Sequence, residues 1–288
     1  MATIVVTGAS RGIGFATALT LARAGHSVYA TMRNPAGGPQ LAETARQESL
    51  PIHIVAMDVD SDSSVEQGFA KILTQAGTID VLINNAGVER NGSIEEVPLS
   101  EFRAVMETNY FGALRCIKAV VGSMRKRRSG LIVNVTSIAG RLVTAPLGPY
   151  AASKFALEAV SEALAQEMKM FNVRVAVVEP GIIATDMAQG LGDRELSSIY
   201  PHQRRMGHYF AAALTTPTPP AIVGEKILEI IESGSGTLRH PVGPDAGPTL
   251  AMRASVSDED YIAINSLDDD AWYTVMEQRT GWSIRPKS

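Results

Sequence analysis

Apolar and polar positions follow two alternating rhythms along the first 180 residues of this chain. Short β-branched runs stand at TIVV (3–6), SVYA (27–30), IHIVA (52–56), DVLIN (80–84), LIVNV (131–135) and VRVAVV (173–178). Runs so uniformly apolar suit strands buried on both faces. Between them the spacing changes to that of amphipathic helices, over 12–24, 64–75, 99–127 and 149–171. Gly25 stands where the first helix should end. After Pro180-Gly181 the rhythm is lost, and residues 182–216 mix small, polar, aromatic and basic side chains. TPTPP (216–220) leads into a helix ending near Glu232, and GSG (234–236) precedes a last strand near Thr237–Pro241. Beyond Val242 come the acidic Asp268-Asp269-Asp270 and both tryptophans, Trp272 and Trp282.

Strands interleaved with crossover helices predict a parallel sheet covered on both sides. Right-handed crossovers make it doubly wound, a Rossmann-type α/β fold. The expected organisation is one such domain over 1–241, with a substrate loop of about 186–220. Residues 242–288 read as a C-terminal extension packed on the same body, too short for a core of their own.

Composition narrows the function classes. A net charge of −4 over 288 residues gives no support to a nucleic-acid or anionic-membrane binder. The single cysteine, Cys116, excludes an internal disulfide and fits a reducing compartment. The histidines at 26, 53, 202, 208 and 240 show no ligand spacing, so no metal site is expected. MRKRR (124–128) falls at a helix end, where cations complement the dipole. Met1 runs almost directly into the first strand, and no stretch reaches the roughly 18 apolar residues of a membrane span. A cytoplasmic protein without a targeting segment is therefore expected.

Two segments carry candidate chemistry. TGASRGIG (7–14) follows the first strand and opens the first helix, so Gly8, Gly12 and Gly14 let backbone approach a pyrophosphate at a helix N-terminus. An acidic residue at the end of the second strand would hold an NAD ribose; here that place reads Thr31-Met32-Arg33. Arg11 and Arg33 would bracket a 2′-phosphate instead, which favours NADP(H); two solvated surface arginines are the competing reading. Asp58 is placed to accept from an adenine amino group, and Asn84-Asn85-Ala86-Gly87 closes the fourth strand at the ligand crevice. The second segment is GPYAASK (148–154), with Tyr150 in the first turn of a helix and Lys154 one turn later on the same face. A surface Tyr/Lys pair would look the same.

Together TGASRGIG, Asp58-Val59, NNAG (84–87), Asn109, Ser137 in NVTSIAG, YAASK (150–154) and PGIIAT (180–185) resemble the short-chain dehydrogenase/reductase family, in its order and spacing over roughly residues 3–185. TMRN after the second strand and YAASKFALEA are most similar to its 17β-hydroxysteroid and retinol dehydrogenase branch. Residues 186–288 match no family motif. The resemblance implies catalysis by Asn109, Ser137, Tyr150 and Lys154. It implies cofactor contacts from Gly8, Ser10, Arg11, Gly12, Ile13 and Gly14 in the first turn, from Arg33, Asp58 and Val59, and from Asn85, Ala86 and Gly87. Tyr150 and Lys154 belong to both sets, and Pro180, Gly181, Ile183 and Thr185 complete the nicotinamide side.

In that reading Tyr150 is the general acid/base, Ser137 steadies the substrate oxygen, Lys154 also binds the nicotinamide ribose, and Asn109 bends its helix and holds a water. Ionising a phenol near neutral pH means lowering its pKa by roughly three units, about 4 kcal/mol. An ammonium about 5 Å away supplies roughly 3 kcal/mol at an effective dielectric near 20, the helix end up to about 1, and an oxidised nicotinamide would add its own positive charge. Met187, Leu191, Tyr200 and Tyr209 would either give the loop an apolar face toward a lipophilic substrate or pack within the protein. Trp272 and Trp282 would either cover the pocket or anchor the tail. The expected activity is NADPH-dependent interconversion of a ketone or aldehyde and an alcohol. A sugar or acyl-thioester substrate, or a non-catalytic NADP(H) sensor, are the rivals. A homodimer, or else a tetramer, built through the helices at 99–127 and 149–171 is the expected assembly.

Overall fold

The computed structural model describes residues 1–192 and 198–286. Its centre is a sheet of seven strands: β1 (Thr3–Val6), β2 (Ser27–Met32), β3 (Ile52–Ala56), β4 (Val81–Asn84), β5 (Gly130–Val135), β6 (Val173–Pro180) and β7 (Arg239–Val242). They lie in the order β3-β2-β1-β4-β5-β6-β7 and every neighbouring pair is parallel. The helices between them are α1 (Gly12–Arg23), α2 (Pro39–Gln47), α3 (Asp62–Ala76), α4 (Leu99–Met106), α5 (Ala113–Arg127) and α6 (Gly148–Lys169). Further on come α7 (Asp186–Gly192), α8 (His202–Ala213) and α9 (Ala221–Ser233).

The period-2 geometry of the strands explains their composition. Along β1, Ile4 and Val6 face one layer with Leu21 of α1, Leu41 of α2 and Ile227 of α9. Val5 faces the other, with Phe69 of α3, Val120 of α5 and Leu164 of α6. Both faces are therefore dry, and each such side chain contributes about 1.5–3 kcal/mol on burial. The chain reverses direction of winding between β1 and β4, so the crevice opens beyond their carboxyl ends.

The structure departs from the predicted elements in informative places. The helix expected over 99–127 is broken by a π-helical turn, Glu107–Gly112, between α4 and α5. Asn109 inside that turn bonds Val88 and Ser153, and Gly112 packs so tightly that a Cβ there would sit 2.8 Å from Val59 Cγ2. β2 and β6 each run two residues further than their apolar runs, to Met32 and Pro180. Helices α7 and α8 occupy the stretch with no clean period, and α2, with Leu41 and Ala45 buried one turn apart, was not expected. α8 reads HQRRMGHYFAAA, and its buried Arg205 interrupts the apolar stripe. Short helices of this kind are stable only when docked. Residues 193–197 of the expected substrate loop and 287–288 of the extension lie outside the described residues.

Candidate active site

The first turn after β1 is fitted against the end of β4. Gly8 has φ of +67°, and a Cβ there would lie 2.7 Å from Ala86 Cα, so neither its conformation nor its space admits another side chain. Thr7 Oγ1 accepts from the Asn85 and Ala86 amides, both at 3.0 Å. Asn85 Nδ2 in turn donates to the Thr7 and Gly8 carbonyls at 2.9 and 3.2 Å. The start of α1 is left without a side-chain cap or an acid in its first turn. Uncapped N–H groups at a helix start fit a diphosphate.

The other expected cofactor residues gather around this turn. Gly12 abuts Thr185, whose Cγ2 would be 3.3 Å from a Cβ at that position, and Gly38 packs on Ser10. Ile13 lines the cavity described below, Val59 and Ile183 are buried, and Asp58 accepts from the Asp60 amide at 3.1 Å. Arg11 and Arg33 are both exposed. Arg11 pairs at 3.3 Å with Asp186, a carboxylate at the start of α7 that the sequence did not single out.

Tyr150, Ser137 and Lys154 meet at the ends of β4, β5 and β6. Ser137 and Tyr150 line the same cavity, and the Ser137 hydroxyl caps the Ala139 amide at 3.1 Å and donates to the Pro180 carbonyl at 3.4 Å. Lys154 Nζ lies 5.6 Å from the Tyr150 ring centre and donates to the Val135 carbonyl at 3.0 Å. Asn109 is buried; it donates to the Val88 carbonyl and Ser153 Oγ and accepts from the Val88 amide, at 2.9, 2.9 and 2.8 Å. A Cβ on Gly87 would be 3.3 Å from Asn109 Oδ1 and 3.7 Å from Lys154 Nζ, which brings both groups around one glycine.

The protein's own electrostatics supply only part of what was expected at Tyr150. Withdrawal from water pushes the Tyr150 hydroxyl up to about 12; the Ser137 side chain opposes that rise and the Glu89 charge adds to it. Burial also pushes Lys154 down to about 8, against the pull of Glu158. The lysine and helix end therefore do not make the hydroxyl acidic on their own, because desolvation outweighs them. The protein by itself keeps Tyr150 protonated.

Ser137 and Tyr150 open on a cavity of about 300 Å³ whose walls include Leu142, Ile182, Met187, Leu191, Met206 and Phe210. Part of its wall comes from the tail, which folds into α10 (Ala246–Ala254), α11 (Asp258–Asn265) and α12 (Asp269–Thr280). Asp269 accepts from Arg205 Nε at 2.7 Å, and the Arg205 guanidinium lies 5.6 Å from the Trp272 ring. The Tyr273 hydroxyl meets His208 Nδ1 at 2.8 Å, and the Tyr261 hydroxyl meets Thr144 at 2.9 Å. Trp272 thus both anchors the tail and lines the cavity. Trp282 stacks near Tyr209, 5.2 Å between rings, and borders an adjoining cavity of about 390 Å³. Of the loop residues expected to face substrate, Met187, Leu191 and Tyr209 line the main cavity, whereas Tyr200 bonds Glu95.

Residues 2–196 match the family model described as short chain dehydrogenase. The chain belongs to the short-chain dehydrogenase family. Retinol dehydrogenase 8 of Bos taurus is 35% identical over 267 residues, 88% of this short-chain dehydrogenase and 85% of the bovine protein. A solved short-chain dehydrogenase from Streptomyces avermitilis superposes with a TM-score of 0.78 at 29% identity, covering 92% of this chain and 99% of that one. Actinorhodin polyketide ketoreductase, solved with NADPH, superposes with a TM-score of 0.76 at 28% identity, covering 85% and 97%.

The short-chain dehydrogenase site also contains residues that sequence reasoning passed over. Asp245 accepts from the Ile182 amide at 2.9 Å and presses on Gly181, where a Cβ would lie 2.2 Å from its Oδ1. Its signal was an acid in the GPDAG turn after the last strand. Asn84, already read in the sequence as part of NNAG, joins Asn134 and Ser161, which were not, in a buried chain of two 2.8 Å bonds from β4 through β5 to α6. Glu158 stands one turn beyond Lys154, a continuation of the Tyr150–Lys154 spacing that was visible in the sequence. Among the described residues no helix is long and apolar enough to cross a membrane, and no group of three or more His, Cys, Asp or Glu is arranged to hold a metal ion.

Proposed function

We propose that this short-chain dehydrogenase interconverts a ketone or aldehyde and the corresponding alcohol on a lipophilic, medium-sized molecule, using NADP(H), with Tyr150 exchanging the proton. The observation that carries the reading is the cavity: the Ser137 and Tyr150 side chains line one largely apolar space. The uncapped start of α1 and the tight Gly8–Ala86 approach fit a dinucleotide. Arg11 and Arg33, with no acid at the end of β2, support the 2′-phosphate form. The bound nicotinamide supplies or accepts the hydride.

The chain's own residues handle the oxygen and its proton. Ser137 donates a hydrogen bond to the substrate oxygen as negative charge grows there. Tyr150, held protonated by its surroundings, delivers its proton to that oxygen in the reductive direction. Lys154 lends positive charge to the phenolate that remains and holds the nicotinamide ribose. Asn109, fixed by three bonds in the π turn, faces the same glycine as Lys154 and suits a water that returns the proton from solvent. The apolar walls favour a lipid-like substrate over a sugar. A cytoplasmic homodimer is the setting we propose; Leu99, Phe111 and Phe155 on α4, the π turn and α6 remain exposed on the single chain.

Tyr150→Phe should lower turnover by about 10²- to 10⁴-fold while leaving NADPH affinity nearly intact. The assay follows nicotinamide absorbance with a panel of aliphatic ketones, steroids, retinoids, sugars and acyl thioesters. Undiminished turnover in the variant would defeat the assignment. Tight NADPH binding without turnover of any panel member would favour a sensor instead.

A further inference from the structure

Beneath Lys154 lies a buried charge network that the acid/base chemistry does not itself use. Glu158 on α6 is 4% exposed and Glu179, next to Pro180 on β6, is 1% exposed. Thr136, the residue before Ser137, donates to Glu158 Oε1 at 2.7 Å. Arg239 of β7 reaches Glu158 Oε2 at 3.1 Å, Glu162 at 2.6 Å and Glu179 at 3.8 Å. Arg141, just past the Ser137 turn, bonds Glu179 at 3.2 Å. A Cβ on Gly140 would lie 3.0 Å from Glu158 Cγ and 3.2 Å from the Lys154 carbonyl, so the turn is pressed against this helix face.

Buried carboxylates are costly unless paired, and Glu158 is paired on both oxygens. Its position gives it a second use. Helical side chains lean toward the N-terminus, which carries Glu158 back over the turn that holds Lys154. The other groups around Lys154 are the Val135 carbonyl of β5, Asn109 of the π turn, the backbone of Gly87 and Gly140, and Tyr150 of α6. Glu89, from the loop after β4, acts on Tyr150. Among the described residues, Glu158 is the carboxylate whose charge acts on the lysine.

We propose that Glu158 is a positioning residue that keeps Lys154 an ammonium beneath Tyr150, and that Arg239 sets how much of the Glu158 charge reaches it. The network also joins three pieces of the site: the Ser137 turn through Thr136 and Arg141, the Lys154 helix through Glu158, and the Pro180-Gly181 edge through Glu179. The inference rests on the assignment of Tyr150 and Lys154 made above. It does not depend on which ketone is turned over.

The test is a direct titration of Lys154 by NMR of lysine-labelled protein, its signal identified by its loss in Lys154→Met. Glu158→Gln should move that titration down by about one pH unit. The alkaline limb of kcat, measured with whichever panel ketone is turned over, should move with it. Arg239→Gln leaves Glu158 less compensated and should move both upward. Thr136→Val breaks one bond but keeps the charge, so its shift should be smaller than that of Glu158→Gln. An unmoved titration in Glu158→Gln, or a kcat lowered equally at every pH, would overturn the proposal. If Glu158→Gln does not fold, the upward shift in Arg239→Gln decides, and its absence is equally fatal. A dead Tyr150→Phe with unmoved Glu158→Gln defeats this inference alone; an active Tyr150→Phe defeats the reading beneath it.

Discussion

Replacing Lys154 by Met should produce a protein that is inactive and yet more stable than the natural one. The ammonium is 5% exposed, and burial takes its pKa from the ordinary 10.5 to about 8. At about 1.4 kcal/mol per pH unit, holding that charge costs the fold about 3 kcal/mol at neutral pH. Methionine has a similar reach and no charge. It leaves the Val135 carbonyl without its 3.0 Å donor, a loss of about 1 kcal/mol; the attraction of Glu158 is already contained in that cost of about 3 kcal/mol. The net gain is then about 1–2 kcal/mol, or a few degrees in Tm. The pH dependence is the sharper signature. Between pH 8 and 10.5 the unfolded chain holds a lysine proton that the folded chain has released, so natural-protein stability rises with pH through that window. The cost is complete below the window and gone above it. Other titrations cancel in the difference, so the advantage of the variant should shrink across the same range. Urea unfolding followed by far-ultraviolet circular dichroism at neutral pH, at pH 9 and above pH 10 measures it. A variant less stable at neutral pH, or an advantage that does not narrow, would refute the argument.

Two further outcomes follow from the same geometry. Asp269→Asn weakens the bond to Arg205, whose side chain is 4% exposed and whose Nη1 has no partner; the loss should be about 1–3 kcal/mol, taken locally. Faster hydrogen exchange in α8 and α12 and a raised KM with kcat largely kept are expected, and unchanged exchange would show that the tail docks by other means. Arg33→Ala should weaken NADPH by about tenfold, the worth of one charge-assisted contact, without affecting NADH; equal losses for both would mean that Arg33 does not read the 2′-phosphate.

Much of this short-chain dehydrogenase was determined by local sequence. Apolar runs separated by helical spacing can satisfy their backbone and bury both faces only as a parallel, covered sheet, so the sheet and its two covering layers were legible from the pattern, while the strand order came from the tertiary structure. Gly8 and Gly12 declared themselves because their backbone conformations exclude side chains. Helical spacing made Tyr150 and Lys154 legible as a pair on one face, while their role, and Ser137 altogether, were legible only through the resemblance to the family.

Other features existed only once distant segments met. The π turn at Asn109 is not encoded by its own periodicity; it is held by bonds to Val88 and Ser153, from two other elements. The Tyr150 hydroxyl was expected to be acidic from its neighbours along the helix, yet it is held up near 12 because desolvation is a property of the whole surrounding shell. The helices of the tail went unread in the sequence because Arg205–Asp269, His208–Tyr273 and Thr144–Tyr261, none of them a local contact, hold them. Periodicity reports which way a residue faces. Which charges it then meets, and how dry that meeting place is, was settled only by the packing of segments more than a hundred residues apart.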